Sequence, residues 1–175
     1  TKAIQERIML DPTYSGERTK FLCVRYGNVL GSRGSVVPLF FDCIQKGQPL
    51  PITHPDMTRF QLTLKEAVQL VLWATVKGES GDLWVQKMPA ARVLDLGQAM
   101  AYGLTGRKDY PVNIIGMRPG EKMHEVLVSE EEMWRATELD NHFLIPSWAK
   151  SQCKHASGKV NVSEYSSAST RQLTQ

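Results

Sequence analysis

Apolar positions switch repeatedly between a helical and an extended period along this chain, and the switches predict its elements. Ile4 and Ile8 recur at helical spacing in a first helix, spanning residues 1 to about 14, that Ser15-Gly16 ends. Residues 20–26 (KFLCVRY) are a short, almost continuous apolar run, the pattern of a strand covered on both faces. Residues 27–34 (GNVLGSRG) predict a loop. Ser35 suits the N-cap of a second helix, and Pro38 is tolerated in its first turn. Val36, Val37, Phe40, Phe41 and Ile44 form one face of that helix before Gly47 stops it.

Residues 48–61 read as extended and Pro-punctuated. Thr63 and Glu66 have capping-box spacing, and Leu64, Ala67, Val68, Val71, Leu72 and Thr75 trace one stripe of the helix that follows. Residues 81–86 (GDLWVQ) predict a strand, 93–104 a helix with Gly106 beyond it, and 111–117 (PVNIIGM) another strand. Ser129 and Glu132 repeat the capping-box spacing. From Ser151 onward few apolar anchors remain, which predicts a tail or an edge-docked segment. Helices alternating with short apolar strands predict the α/β class.

Composition narrows this picture. At 175 residues, 42% apolar and 22% charged, the chain has the make-up of one globular domain. Its 21 basic against 18 acidic residues give a scattered excess of +3, which suits a small anion better than a nucleic acid. Cys23, Cys43 and Cys153 are odd in number and lack C-x-x-C spacing, so they read as reduced thiols of a cytoplasmic protein. No apolar run approaches the ~18 residues of a membrane span, and no signal peptide is expected. The chain opens on Thr1-Lys2-Ala3-Ile4, inside a predicted helix without Met or N-cap, and so reads as the rear part of something longer.

Three segments could carry chemistry. The loop 27–34 joins a strand to a helix, where glycines let the backbone approach an anion and the helix offers unpaired N–H groups. Its glycines at 27, 31 and 34 match neither G-x-G-x-x-G nor the P-loop. An anion cradle and a ligand-free turn fit this spacing equally. Arg59 and Arg118 end extended segments and could clamp a phosphate, although each singly reads better as the partner of a carboxylate such as Asp56 or Glu121. His54, His124, His142 and His155 have no metal-ligand spacing, so no metal site is expected. No G-x-S-x-G elbow occurs. Trp73, Trp84, Trp134 and Trp148 read as core, and residues 130–132 as a solvated helix start.

Taken together, RYGNVLGSRGSVVPLF (25–40), PITHPDMTRFQLTLKEAVQLVL (51–72) and IIGMRPGEKMHEVLVSEEE (114–132) resemble the nucleotide-sugar 4,6-dehydratases of polysaccharide biosynthesis. These are extended short-chain dehydrogenase/reductases, and the nearest subgroup is the inverting UDP-N-acetylglucosamine 4,6-dehydratases. The resemblance runs from Thr1 to about Trp148, and more weakly over 164–174. It implies that Thr1-Lys2 ends a Y-x-x-x-K helix, making Lys2 the catalytic lysine that also bonds the nicotinamide ribose. The family's tyrosine and Gly-rich dinucleotide fingerprint would precede Thr1.

The resemblance further implies that Tyr26 and Asn28 lie by an NADP nicotinamide and that Asn28 also touches substrate. Ser35, Val36, Val37 and Pro38 would face the UDP moiety, Arg59 and Arg118 its diphosphate, and Glu121 a ribose hydroxyl. The implied reaction is redox-neutral: hydride leaves sugar C4 for NADP, water leaves from C6, and hydride returns to C6. A sister epimerase or reductase, or an inactive UDP-sugar-binding fragment, is the alternative. The domain expectation is residues 1–27 as the end of a Rossmann domain, rejoined by the helix and strand near 63–87. Residues 28–150 would form a nucleotide-sugar-binding region, and 151–175 a polar tail. The full-length protein is expected to be a homo-oligomer that binds no nucleic acid, and the isolated chain, lacking its Rossmann half, to be poorly soluble.

Overall fold

The computed structural model describes residues 2–11, 19–147 and 163–173; the expectations for Ser15-Gly16, Trp148, Cys153, His155 and the tail's residues 151–162 lie outside them. In chain order the first half forms α1 (Lys2–Leu10), β1 (Cys23–Arg25), β2 (Asn28–Val29), α2 (Val36–Gln45), β3 (Leu50–Ile52), β4 (Thr58–Leu62) and α3 (Leu64–Lys77). The second half forms β5 (Leu83–Gln86), β6 (Ala90–Arg92), α4 (Val93–Thr105), β7 (Val112–Ile114), β8 (Val126–Val128), α5 (Glu130–Met133), β9 (Thr137–Glu138), β10 (His142–Ile145) and β11 (Tyr165–Ser166). The class is α/β, as the alternation predicts. The chain divides into two units. One comprises Thr1–Tyr26, Leu64–Lys87 and Val126–Tyr165, the other Gly27–Thr63, Met88–Glu125 and Ser166–Gln175.

In the first unit a four-stranded sheet has the order β1-β5-β10-β9. β1 runs parallel to β5, with Val24 opposite Trp84, while β10 is antiparallel to β5. Successive side chains on a strand point to opposite faces, and both faces here are covered. Val24, Trp84 and Leu144 pack with Leu70 and Ala74 of α3. Cys23, Leu83, Val85, Phe143 and Ile145 pack with Leu10 of α1, Val128 of β8 and Met133 of α5. This double cover is why residues 20–26 read as a continuous apolar run rather than an alternating one.

α3 corrects one expectation. It buries Ala67, Leu70 and Ala74, not the stripe of Leu64, Val68, Val71 and Leu72, all four of which are exposed. The helix is apolar on two faces, and small alanines let its inner face approach the sheet. The tryptophans divide as well: Trp84 is buried, whereas Trp73 and Trp134 are exposed. Trp73 stacks on His142, with ring centroids 6.1 Å apart. The capping box at α5 forms, with the Ser129 hydroxyl accepting from Glu132 N–H and the Glu132 carboxylate accepting from Ser129 N–H.

The second unit holds a three-stranded sheet, β2-β4-β6, and a parallel pair, β3-β7. β2 is parallel to β4, with Asn28 opposite Gln61, and β6 is antiparallel to it, with Ala91 opposite Arg59. α2 and α4 bury Phe40, Ile44 and Ala101 with Leu50 and Ile52 of β3 and with Tyr110. Phe41, expected on the buried face of α2, is exposed, and Cys43 takes its place. The described part of the C-terminal segment docks on an edge. Ala90 N–H donates to Arg171 O (2.9 Å) and Leu173 N–H to Ala90 O (2.7 Å). Thr170 Oγ1 donates to Met88 O at 2.9 Å.

Candidate functional site

The glycine-rich loop leads from β2 into α2. Gly31 and Gly34 both adopt φ +74°, a left-handed conformation that glycine takes without the strain a side chain would bring. Ser35 is the N-cap of α2 by backbone geometry, yet its side chain caps nothing. Its Oγ is buried and has no hydrogen-bond partner among the described residues. A buried hydroxyl beside the first N–H groups of a ten-residue helix is suited to an anionic or hydroxylated ligand. Val36 and Val37 are half-buried, Pro38 is exposed, and Asn28 is exposed on β2.

Arg59 lies on β4 and is largely buried, its side chain 13% exposed. Nη1 donates to Thr58 O (2.8 Å) and to Met123 O (3.2 Å). Nη2 lies 3.8 Å from Glu121 Oε1, and Nε lies 3.7 Å from Glu125 Oε1. Those separations are ion pairs beyond hydrogen-bond length. Glu121 also accepts from Arg118 N–H at 3.0 Å. Glu121 N–H in turn donates to Arg118 O (3.0 Å), closing a turn around Pro119 and Gly120, the latter at φ +80°. One carboxylate thus joins Arg59 to the turn that carries Arg118. The Arg118 guanidinium is exposed and makes no bond among the described residues.

Behind Arg59 is a polar group that the sequence did not single out. Ser167 is wholly buried. Its Oγ accepts from Glu125 N–H (2.8 Å) and lies 2.7 Å from Thr58 Oγ1 and 3.2 Å from Thr58 O. Thr58 Oγ1 is 2.7 Å from His124 Nδ1. Glu125 also accepts from Phe60 N–H at 3.3 Å. Burial pushes the Glu125 carboxyl above its ordinary value, against the pull of Arg59. An Arg followed by buried positions on a strand was the readable signal for this group. The contribution of Ser167, more than a hundred positions away, left none.

Lys2 and Tyr26 belong to the first unit. Lys2 begins α1, exposed and with no partner among the described residues, and Tyr26 is exposed beyond β1. α1 buries no residue fully, and its polar anchor is Glu6. Arg25 donates to Glu6 through Nε (2.7 Å) and Nη2, to Glu132 through Nη1 and Nη2 (both 2.8 Å), and to Leu127 O through Nη1 (2.7 Å). Burial disfavours the Arg25 charge, but these carboxylates outweigh it and raise its pKa. Glu132, expected as part of a solvated helix start, is instead a half-buried ion partner. Burial alone would raise its carboxyl, and Arg25 brings it below the ordinary value. Beside this cluster is a cavity of about 460 Å³, lined by Glu6, Arg25, Ser129, Glu132 and Arg135. None of the expected substrate residues lines it.

These elements define an α/β protein of the extended short-chain dehydrogenase/reductase type. The chain belongs to the family of polysaccharide biosynthesis proteins, whose model matches residues 1–147. It is 43% identical over 152 residues to an "uncharacterized membrane protein" of Methanocaldococcus jannaschii, covering 83% of this chain and 46% of that protein. It is 39% identical over 181 residues to a UDP-glucose 4-epimerase of Rickettsia bellii, covering 99% of this chain and 52% of that enzyme. The chain thus spans about half the length of the curated relatives it matches. The crystal structure of Pen from Bacillus thuringiensis superposes with a TM-score of 0.83 at 34% identity, covering 97% of this chain and 52% of that one. A dTDP-glucose 4,6-dehydratase, DesIV of Streptomyces venezuelae, solved with NAD and TYD bound, shares the fold at a TM-score of 0.52 and 16% identity, over 58% of this chain and 33% of that one. Among the described residues no helix is long and apolar enough to cross a membrane.

Proposed function

We propose that this chain supplies the nucleotide-sugar-binding part of an NADP-dependent 4,6-dehydratase acting on UDP-N-acetylglucosamine. The observation that carries the reading is the Arg59–Glu121–Arg118 arrangement. One guanidinium is anchored in the unit, a second makes no bond among the described residues, and a single carboxylate joins the first to the backbone of the Pro-Gly turn that carries the second. The same unit holds the Ser35 Oγ, without a hydrogen-bond partner among the described residues, at the N-terminus of α2. In this reading Arg118 and Arg59 hold the diphosphate, the start of α2 (Ser35, Val36, Val37, Pro38) meets the uridine side, and Glu121 orders both arginines while reaching a ribose hydroxyl.

The second unit is then the nucleotide-sugar region and the first the end of a dinucleotide-binding domain. Lys2, with no partner among the described residues, would donate to a nicotinamide ribose, and its charge would lower the pKa of a tyrosine placed one turn earlier. In the same reading Tyr26 is a nicotinamide contact, and Asn28 a contact of nicotinamide and sugar. Bound NADP would supply hydride acceptance and return. This chain's residues would hold the sugar in register for it. The full-length protein is a cytoplasmic homo-oligomer in this account.

A second reading, 4-epimerisation of a UDP-hexose, is favoured by the name of the Rickettsia bellii relative. Both reactions oxidise C4, but only dehydration removes the C6 hydroxyl. NMR of UDP-N-acetylglucosamine and, separately, UDP-glucose incubated with the full-length protein and NADP⁺ or NAD⁺ separates them. A C6 methyl signal supports dehydration, inversion at C4 alone supports epimerisation, and unchanged substrate contradicts both.

A further inference from the structure

We propose that Ser167 is a positioning residue for Arg59, so that the C-terminal segment is a working part of the anion site. The inference rests on the reading of Arg59 as a diphosphate contact. The bonds run to both sides of the guanidinium. Thr58 O, which receives Arg59 Nη1–H at 2.8 Å, also lies 3.2 Å from Ser167 Oγ. Glu125, whose carboxylate is 3.7 Å from Arg59 Nε, is gripped through its backbone. Its N–H donates to Ser167 Oγ and its carbonyl accepts from Ser167 N–H, both at 2.8 Å. Ser167 therefore sets the distance between the strand that carries Arg59 and the residue that flanks it.

Counting protons shows how fully this side chain is used. A hydroxyl donates one hydrogen bond and accepts two. Glu125 N–H can only donate and Thr58 O can only accept, so for every contact to carry a proton the Ser167 hydrogen goes to Thr58 O. Ser167 Oγ then accepts from Glu125 N–H and from Thr58 Oγ1–H. With its own proton used, Thr58 Oγ1 accepts from His124 Nδ1–H. That arrangement gives every one of these contacts a proton, and it runs without a gap from His124 to the carbonyl that holds Arg59. Removing the Ser167 hydroxyl takes that acceptor from the part-buried Glu125 N–H and frees Thr58 O to shift, with Arg59 following.

The test compares the full chain with Ser167→Ala and Ser167→Cys, the latter keeping a side chain of similar size but a weak acceptor. UDP and uridine are the two calorimetric probes. Arg59 meets the diphosphate only, so Ser167→Ala should weaken UDP binding about tenfold and leave uridine binding unchanged, with Ser167→Cys in between. The Arg59 Nε–H resonance of ¹⁵N-labelled protein should shift in both variants. An unmoved resonance, UDP affinity within about twofold of the unaltered protein, or an equal loss for uridine overturns the proposal. Should Ser167→Ala fail to fold, Ser167→Cys decides by the same criteria. The Arg59→Ala variant separates the two layers of the argument. If it binds UDP normally, the reading of Arg59 fails; if it binds UDP weakly while the Ser167 variants do not, only the positioning role fails.

Discussion

Replacing Arg25 with Met should loosen the helix that carries Lys2. The guanidinium uses all five of its N–H groups, two on Glu6, two on Glu132 and one on Leu127 O. The three side chains are only 24%, 21% and 20% exposed, so the bonds operate mostly out of water. Methionine fills much of the volume but leaves two carboxylates facing one another with no cation between them. Breaking a buried pair in this way costs about 3–5 kcal/mol. With a fifth of each side chain still in water we take the lower end, ~3 kcal/mol, or roughly 6–12 °C in Tm for a chain of this size.

The pH dependence should change with it. The Glu132 carboxyl stands below its ordinary value of 4.5 in the folded chain. The unfolded state therefore binds more protons, and the stability from Glu132 is fully present above 4.5 and lost as pH falls through the folded value. Arg25→Met should melt early at pH 7 and show a shallower acid decline than the unaltered chain. Thermal melts by circular dichroism from pH 3 to 7, with Glu132→Gln closing a double-mutant cycle, measure both effects. A loss below about 1 kcal/mol, or an unchanged acid profile, would refute the reasoning.

Three further outcomes are expected. Arg118→Ala should fold normally, because its guanidinium bonds nothing among the described residues, while calorimetric affinity for UDP falls about tenfold; equal affinity removes Arg118 from the site. Gly27→Ala would place a Cβ 2.2 Å from Phe60 Cβ and 3.1 Å from Met88 Sδ, inside the sheet that carries Arg59. Relief must come from the backbone, at a cost of at least ~1–3 kcal/mol read as a lowered Tm, and an unchanged Tm contradicts that packing. Glu125 has a raised folded pKa, so its contribution is greatest below its ordinary value of 4.5 and declines as pH rises through the folded value. Glu125→Gln should flatten that decline in a pH series of melts, and an unaltered slope would show the carboxyl to be unperturbed.

Most helices and the first strand were legible because their signals are local. The capping residues Ser129 and Glu132, Gly106 after α4, and the apolar run around β1 each act within a few positions. β10 was not foreseen. Four residues, HFLI, carry too little period to separate a strand from a loop, and only pairing with β5 makes them one. The outward stripe of α3 misled for a different reason: the helix is apolar on two sides, and periodicity cannot say which side the sheet takes. Arg59, Arg118 and Glu121 were readable as types at turn and strand ends, and Glu121 meets Arg118 through its backbone rather than its guanidinium. Ser167 and the Arg25 cluster were not readable, since each depends on partners more than a hundred positions apart.

The central claim is that one unit, built by Gly27–Thr63, Met88–Glu125 and Ser166–Gln175, receives a nucleotide diphosphate. Amide chemical-shift mapping of the ¹⁵N-labelled chain during titration with UDP tests it most directly. The account predicts saturable shifts confined to Asn28, the start of α2 from Ser35, Arg59 and the turn from Arg118 to Glu121. Saturable shifts elsewhere, as around the Arg25 cavity, or none at millimolar UDP with the spectrum of a folded chain, would contradict it.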